Sequence, residues 1–523
     1  MNLVSLLAGR AGRHPDRPAL VDSRGGVDRV VTYGELARRM SAGANELQQM
    51  GLARGQVVLV FQPVSIELYE FVLAAFHAGL QVMLADPSAG GEFLSNCCRR
   101  LSPDAFFGSW KAHCLKLTNP EMRRIPISIC SNAWFPGAKR WRTDSTGAGA
   151  VEMGDDEPAL VTFTSGSTGI PKAAVRTHGF LLAQHRALSR ALEFEDGEVD
   201  LITLPVFVLA NLASGLTCVL AATDLAKPGS PDVAAVTAQC RKYGVTRCAA
   251  SPAFFEGFLR SPEALPAFEK VFTGGAPVFP DLLLRLRESL PEARIHSVYG
   301  STEAEPIAHF PADDANEETC SLTRQGGGLC AGLPVAEIEL RIITDHWGTP
   351  VGPMNESEFA NLSVRSGQAG EIVVSGDHVL RGYLGGAGDE ETKIHVGKRV
   401  WHRTGDAGWI DARNRVRLLG RCAEKLPAFP AARDLPDDAP RYPFAIECAL
   451  RKIFPNIRTA ALDWKGRRTL VVGKKCDAAE IAEIEAKAAE LGMARVIYLE
   501  SLPLDRRHNA KIDYPTLRVA LEK

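Results

Sequence analysis

The sequence has twelve cysteines but no C-x-x-C pair, no apolar run long enough to span a bilayer, and no internal repeat or low-complexity block. The missing cysteine pairs exclude the usual zinc spacings and a disulfide framework, so reduced thiols and a cytoplasmic setting are expected. The most apolar stretch after the N-terminus, Val57 to Leu84, is broken by Pro63, Glu67, Glu70 and His77, and no transmembrane helix is expected. The N-terminus lacks the apolar core of a signal peptide and meets Arg10 and Arg13 early, which reads as an amphipathic helix. A formal net charge of −2 supplies no global field toward nucleic acid or an anionic membrane. What is present is the balance of a globular protein, 46% apolar and 23% charged residues, in a 523-residue chain long enough for more than one domain.

Thr32 followed by Glu35 is a capping-box pattern and predicts a helix start. Gln56 to Phe61 reads as a buried strand, Val64 to Ala78 as a helix closed by Gly79, and Leu80 to Ala85 as a second strand. That βαβ unit implies a parallel sheet covered by helices. The alternation returns in the strands Asp200 to Leu204, Val245 to Ala250, Val271 to Gly274 and Ile295 to Val298, with helices over Val233 to Lys242 and Asp281 to Leu290. After about Gly332 the texture changes to short strands, Glu337 to Ile343, Gly370 to Ser375 and Trp409 to Leu419, suggesting a small barrel-like part. Ala428 to Pro443, rich in proline and aspartate, reads as a long surface loop. Helices over Phe444 to Phe454 and Ala478 to Leu491 follow, with strands at Thr459 to Leu462, Thr469 to Val472 and Arg495 to Leu499, which together make a small α+β terminal domain.

Three stretches carry chemistry. Val161 to Phe163 reads as the end of a buried strand, followed by Thr164, Ser165, Gly166, Ser167, Thr168 and Gly169 and closed by Pro171 and Lys172. Glycines let backbone N–H groups approach an anion, hydroxyls add donors and lysine adds charge, a combination suited to a polyphosphate. The spacing does not follow the Walker A pattern, and an ordinary Ser/Gly connection has the same composition. The second stretch, Tyr299-Gly300-Ser301-Thr302-Glu303, follows a predicted strand, where open α/β sheets bind ligands. Glu303 either reaches an anion through a bridging Mg²⁺ or caps a following helix. In the third, Arg403-Thr404-Gly405-Asp406, the aspartate either accepts both hydroxyls of a ribose or forms a simple Asx turn.

Taken in order, TSGSTGIPK, the Gly274-Gly275-Ala276-Pro277 string, YGSTE, GEIVVSG with RGYL, RTGD, Gly420-Arg421 and a late basic segment ending in Lys511 resemble the adenylate-forming superfamily. That superfamily includes acyl- and aryl-CoA synthetases, peptide-synthetase adenylation domains and luciferases. The resemblance implies an α/β architecture: a large N-terminal domain, residues 1–420, of mixed, largely parallel sheets packed with helices plus a small β-barrel-like part, and a small mobile α+β lid, residues 421–523. It also implies that ATP binds between them, with adenine near Gly274 to Pro277 and Tyr299, and with Thr164 to Lys172 on the phosphates. By the same resemblance Thr302 contacts the α-phosphate, Glu303 holds Mg²⁺, Asp406 and Arg421 hold the ribose, and Lys511 reaches the bridging oxygen and the substrate carboxylate. Joining a carboxylate to the α-phosphorus brings two anions together, so cations and donors must offset their repulsion.

The lid departs from the common superfamily pattern. Ala423 stands where a charged hinge residue is usual, and no glycine follows until Gly466, so the glycine turn that lines a pantetheine tunnel is missing. The ending Asp505-Arg506-Arg507-His508-Asn509-Ala510-Lys511-Ile512 and the stretch LPVFVLANLASG look like the β-lactone synthetases of long-chain olefin biosynthesis. Those enzymes adenylate a β-hydroxy acid and let its own hydroxyl expel AMP, so the nucleophile is already tethered. The resemblance therefore implies a long-chain β-hydroxy carboxylic acid as substrate, an acyl pocket around Val206, Phe207, Val208 and Asn211, and pathway enzymes as partners. His508 is either the base for the hydroxyl proton or a group that positions the Lys511 loop. The rival readings are a fatty acyl-CoA ligase, an acyl-AMP ligase loading a carrier protein, and a non-catalytic nucleotide-binding scaffold.

Overall fold

The computed structural model describes residues 3–86, 89–165, 171–263, 265–430, 435–454, 457–504 and 512–522, apart from the side chains of 164, 165 and 452. The chain divides into two compact units: Met1–Thr223 with Ala235–Cys248 and Gly382–Asp389, and Asp224–Ala234 with Ala249–Arg381 and Glu390–Lys523.

In the first unit the predicted strand–helix–strand module is present as Val57–Phe61, Ile66–His77 and Gln81–Leu84, with the strands parallel in the register Val58 to Val82. Every residue of Val57–Phe61 is buried, as expected for a parallel strand covered on both faces. It lies inside a seven-stranded sheet ordered Lys139–Arg140, Ile127–Cys130, Ala105–Gly108, Val57–Phe61, Gln81–Leu84, Pro158–Ser165 and Pro171–Thr177. All its pairs are parallel except the last, where Pro158–Ser165 and Pro171–Thr177 form an antiparallel hairpin. Leu59, Met83, Phe106, Val161, Phe163 and Ala173 share one core that fixes where the hairpin emerges. Pro171 and Lys172 thus begin a strand instead of closing a loop. The predicted capped helix runs from Tyr33 to Gln49, with Thr32 accepting from the Glu35 N–H. The predicted N-terminal helix spans Leu3–Arg13.

In the second unit Lys270–Gly274 runs parallel to Arg294–Ser301, which turns back into the antiparallel strand Ala304–Pro311. The sheet continues through Leu329–Pro334, Val416–Arg421, Arg399–Ile410, Gly370–Ser375 and Glu339–Ile343. Two expectations are corrected here. Trp409 to Leu419 is not one strand but the end of one, a turn and the start of the next. Asp411 Oδ1 accepts from the N–H groups of Arg413 and Arg415, and Asn414 takes a left-handed φ of 60°, which asparagine tolerates. The stretch from Ala428 to Pro443 is irregular, but it is not all surface. Ala439 and Tyr442 are buried against Trp409, Leu419 and Cys422, because their apolar area has that core to enter.

The α+β end of the chain is a three-stranded sheet, Thr459–Trp464, Arg467–Gly473 and Arg495–Leu499, with the helices Pro443–Ile453 and Ala478–Glu490. Leu450, Ala461, Leu470, Ile484 and Ala488 form its core. The architecture as a whole is α/β: mixed sheets packed by helices, with a smaller α+β region at the C-terminal end. Among the described residues no helix is long and apolar enough to cross a membrane.

Candidate functional site

The second unit brings the predicted ribose and adenine residues together. Asp406 lies within the strand Arg399–Ile410, not on a turn as the Thr-Gly-Asp string suggests. Its placement depends on an irregularity: Glu371 pairs with Ala407 and Val373 with Arg403, so Thr404, Gly405 and Asp406 bulge from the ladder. Gly405 makes the bulge with a φ of 72°, and the Thr404 hydroxyl accepts from the Asp406 N–H at 3.1 Å.

Asp406 accepts from the Tyr299 hydroxyl on one oxygen at 2.8 Å and from Arg421 on the other at 2.9 Å. Arg421 also donates to the Thr404 carbonyl at 3.2 Å. An ionised carboxylate offers about four lone-pair sites, so each oxygen keeps one direction for a further donor, which suits a pair of vicinal hydroxyls. Burial, followed by the adjacent Asp406 carboxylate, pushes the Tyr299 phenol well above its ordinary value and keeps it a donor. The Asp406 charge in turn raises the Arg421 guanidinium.

Gly274 ends its strand where a Cβ would meet the Val298 carbonyl at 2.6 Å, and Gly275 follows with a φ of 78°. Only glycine permits that close approach and that turn. Gly300 and Ser301 finish the strand Arg294–Ser301, and the Ser301 hydroxyl is buried with no hydrogen-bond partner among the described residues. Thr302 and Glu303 form the two-residue turn between paired Ser301 and Ala304. Glu303 therefore caps no helix, since the next element is a strand. Its carbonyl accepts from the Leu380 N–H at 2.7 Å, which ties the turn to a second segment.

In the first unit, Thr164 and Ser165 end one strand of the hairpin and Lys172 lies near the start of the other. The residues from Gly166 to Gly169 lie outside the described residues, as do His508 and Lys511. Lys172 is flanked by the segment Gly382–Asp389, which sequence reasoning did not assign to it. Its ammonium lies 5.8 Å from the Tyr383 ring centre, and Tyr383 bridges to Ala174. A Cβ on Gly388 would come within 2.8 Å of the Lys172 ammonium nitrogen. The string Arg381-Gly382-Tyr383-Leu384 was the available signal for this segment.

The residues expected around the acyl chain do not share one environment. Pro205–Phe207 is a short 3-10 turn leading into the helix Val208–Ser214. Phe207 and Val208 are buried, whereas Val206 is 52% exposed. Asn211 is fully buried and donates to Asp200 at 2.6 Å. A second group missed from sequence is Asp345, which accepts from Lys425 at 2.8 Å and from the Tyr442 hydroxyl at 2.9 Å. That pair fixes the segment just after Arg421. Among the described residues no group of three or more His, Cys, Asp or Glu side chains could hold a metal ion.

The fold and the family match define an ATP-dependent, AMP-forming ligase that works through an acyl-adenylate. The chain belongs to the AMP-binding enzyme family, which its residues 7–384 match. It is similar end to end to the olefin beta-lactone synthetase of Stenotrophomonas maltophilia, at 30% identity over 97% of this chain and 94% of the relative. The olefin beta-lactone synthetase of Xanthomonas campestris pv. campestris is 29% identical over 99% of this chain and 97% of its own length. The fold matches that of the amide bond synthetase McbA from Marinactinospora thermotolerans, with a TM-score of 0.77 at 19% identity over 99% of both chains.

Proposed function

We propose that this enzyme adenylates a long-chain β-hydroxy carboxylic acid and closes the acyl-adenylate to a β-lactone. The observation that carries the second step is the end-to-end similarity to two olefin beta-lactone synthetases. The altered lid sequence, with Ala423 at the usual hinge position and no glycine turn before Gly466, supports the same reading.

In the first step a substrate carboxylate oxygen attacks the α-phosphorus of ATP and pyrophosphate leaves. Thr164 to Lys172 receive the phosphates, Thr302 the α-phosphate, and Tyr299, Asp406 and Arg421 orient the ribose. Glu303 is the group for Mg²⁺, which would neutralise phosphate charge when bound. Mg²⁺ keeps several waters and needs only one or two carboxylates besides phosphate oxygens, so a single glutamate on a tight turn fits it. Residues 421–523 act as the lid that brings Lys511, a compact movable cation, to the bridging oxygen.

In the second step the β-hydroxyl oxygen attacks the acyl carbonyl carbon, the bond to AMP breaks, and the hydroxyl proton passes to a base; His508 either is that base or positions the segment that carries Lys511. Because the nucleophile is tethered, the step needs no CoA site.

The test measures pyrophosphate and AMP release with β-hydroxy and plain fatty acids, each with and without CoA. Release of both products with the β-hydroxy acid alone, together with a lactone by mass spectrometry, is expected. Strict CoA dependence with a thioester product would overturn the lactone step. In the same assay Lys511→Ala removes acyl-AMP formation while ATP binding persists.

A further inference from the structure

The net charge of −2 conceals a local imbalance in the first unit. From Ala105 to Arg142 the only acidic residue is Glu121, while Lys111, Arg123, Arg124, Lys139, Arg140 and Arg142 are all exposed. Glu121 is engaged by Arg124 at 2.8 Å and by Arg99 at 3.5 Å. The other five exposed basic side chains of this stretch make no ion pair among the described residues.

The same stretch holds three of the large apolar side chains that stand outward: Trp134 at 75% exposure, Leu117 at 58% and Trp110 at 52%. Trp110 and Leu117 lie seven residues apart on the helix Trp110–Thr118, two turns along one face. That helix is fixed from beneath: His113 bonds the Ile129 carbonyl at 3.1 Å, and Lys116 donates to the Ile125 carbonyl at 3.0 Å. Trp134 stands on the connection between Ile127–Cys130 and the edge strand Lys139–Arg140. Its neighbour Phe135 is buried, stacked on His113 at 4.9 Å and edge-on to Trp110 at 6.0 Å. The loop is thus anchored through Phe135 and presents Trp134 to solvent.

Charges on an edge strand guard against unwanted strand pairing, which accounts for Lys139 and Arg140 but not for two outward indoles. Single exposed apolar residues are ordinary on any surface; here two tryptophans and a leucine stand outward on one supported helix-and-loop rim, within a stretch of chain rich in exposed cations. We propose that this rim docks peripherally on an anionic lipid bilayer, with Trp110, Trp134 and Leu117 entering the headgroup–acyl boundary and the basic side chains facing anionic headgroups. Charge complementarity selects the occupant, and indoles beside basic side chains suit that boundary, where one end of each group is apolar and the other wet. The surface stands independently of the lactone chemistry, because binding is read without substrate.

The experiment is co-sedimentation of the full chain with vesicles of phosphatidylcholine alone or of equal parts phosphatidylcholine and phosphatidylglycerol. The double variants Trp110→Ser/Trp134→Ser and Lys139→Glu/Arg140→Glu alter exposed positions outside the nucleotide residues, and retained acyl-AMP formation confirms that they fold. Sedimentation with the anionic vesicles is expected, weakened by salt and reduced roughly tenfold or more in each double variant. No sedimentation with anionic vesicles, or sedimentation unchanged in either variant, overturns the proposal. A dimer in the analytical ultracentrifuge that the tryptophan variant dissociates, without vesicle binding, reassigns the rim to a second copy of the chain and overturns it equally.

Discussion

The hydroxyl of Tyr514 donates to the buried carboxylate of Glu447 at 2.6 Å, three residues beyond Lys511 in sequence. Glu447 belongs to the helix Pro443–Ile453 and also accepts from the Ala461 N–H at 2.9 Å. Leu504 and Ile512 form an antiparallel bridge, and the Asp513 N–H donates to the Pro503 carbonyl at 3.0 Å. Both ends of the stretch that carries Lys511 are therefore tied to the C-terminal core.

This pair has a pH signature. Burial raises the Glu447 carboxyl to about 7, against the opposing pull of the Tyr514 and Ala461 donors. The unfolded chain releases that proton near the ordinary value of 4.5. Between the two values the folded state holds more protons, so stability falls as pH rises through this window. Glu447→Gln keeps an acceptor for Tyr514 and removes the titration. Relative to the variant, the parent should lose up to about 3 kcal/mol between about pH 5 and about pH 8. Chemical denaturation of both proteins at the two pH values measures the difference, and parallel pH profiles would show that the carboxyl does not titrate as described.

The bulge that presents Asp406 makes a second prediction. At a φ of 72° Gly405 adopts a backbone that side chains resist, and a Cβ there would meet the Trp347 ring at 2.9 Å. Gly405→Ala should cost about 1–3 kcal/mol from backbone strain alone. Because the carboxylate must move with the bulge, KM for ATP should rise more than for the fatty acid. Steady-state kinetics with each substrate varied in turn checks this; equal KM changes would mean that the bulge does not aim Asp406 at the nucleotide.

The sequence revealed elements whose signal is local. Val57–Phe61 is apolar at every position and Gly79 takes a φ of 74°, so the strand–helix–strand unit was legible to within a few residues. Trp409 to Leu419 misled because apolar residues continue on both sides of a turn made by Asp411 and Asn414, which lacks a glycine. The string Thr-Gly-Asp reads as a turn, whereas Asp406 sits on an irregularity inside a strand that the string alone does not reveal. Contacts such as Tyr442 to Asp345 join positions far apart in the chain and leave no periodic trace. Asn211 was drawn toward a pocket by resemblance alone, since one buried amide in an apolar helix reads the same whether it faces ligand or protein.

That amide makes the last prediction. Asn211 Nδ2 donates to Asp200 at 2.6 Å, and both side chains are buried. Arg247, also buried, approaches the same carboxylate oxygen at 3.6 Å and pairs with Glu198 at 2.7 Å. Burial raises the Asp200 carboxyl to about 6, opposed by the Arg247 charge and the Asn211 hydrogen bond. Removing the amide takes a short hydrogen bond from a carboxylate that has little solvent to replace it, a loss of about 1–3 kcal/mol. Asn211→Ala should therefore lower Tm at neutral pH, and the loss should shrink as pH falls through about 6 and Asp200 takes a proton. If the residue is structural, the relative kcat/KM for fatty acids of different chain length stays unchanged. A variant of undiminished stability with an altered chain-length preference would instead place Asn211 against the acyl chain.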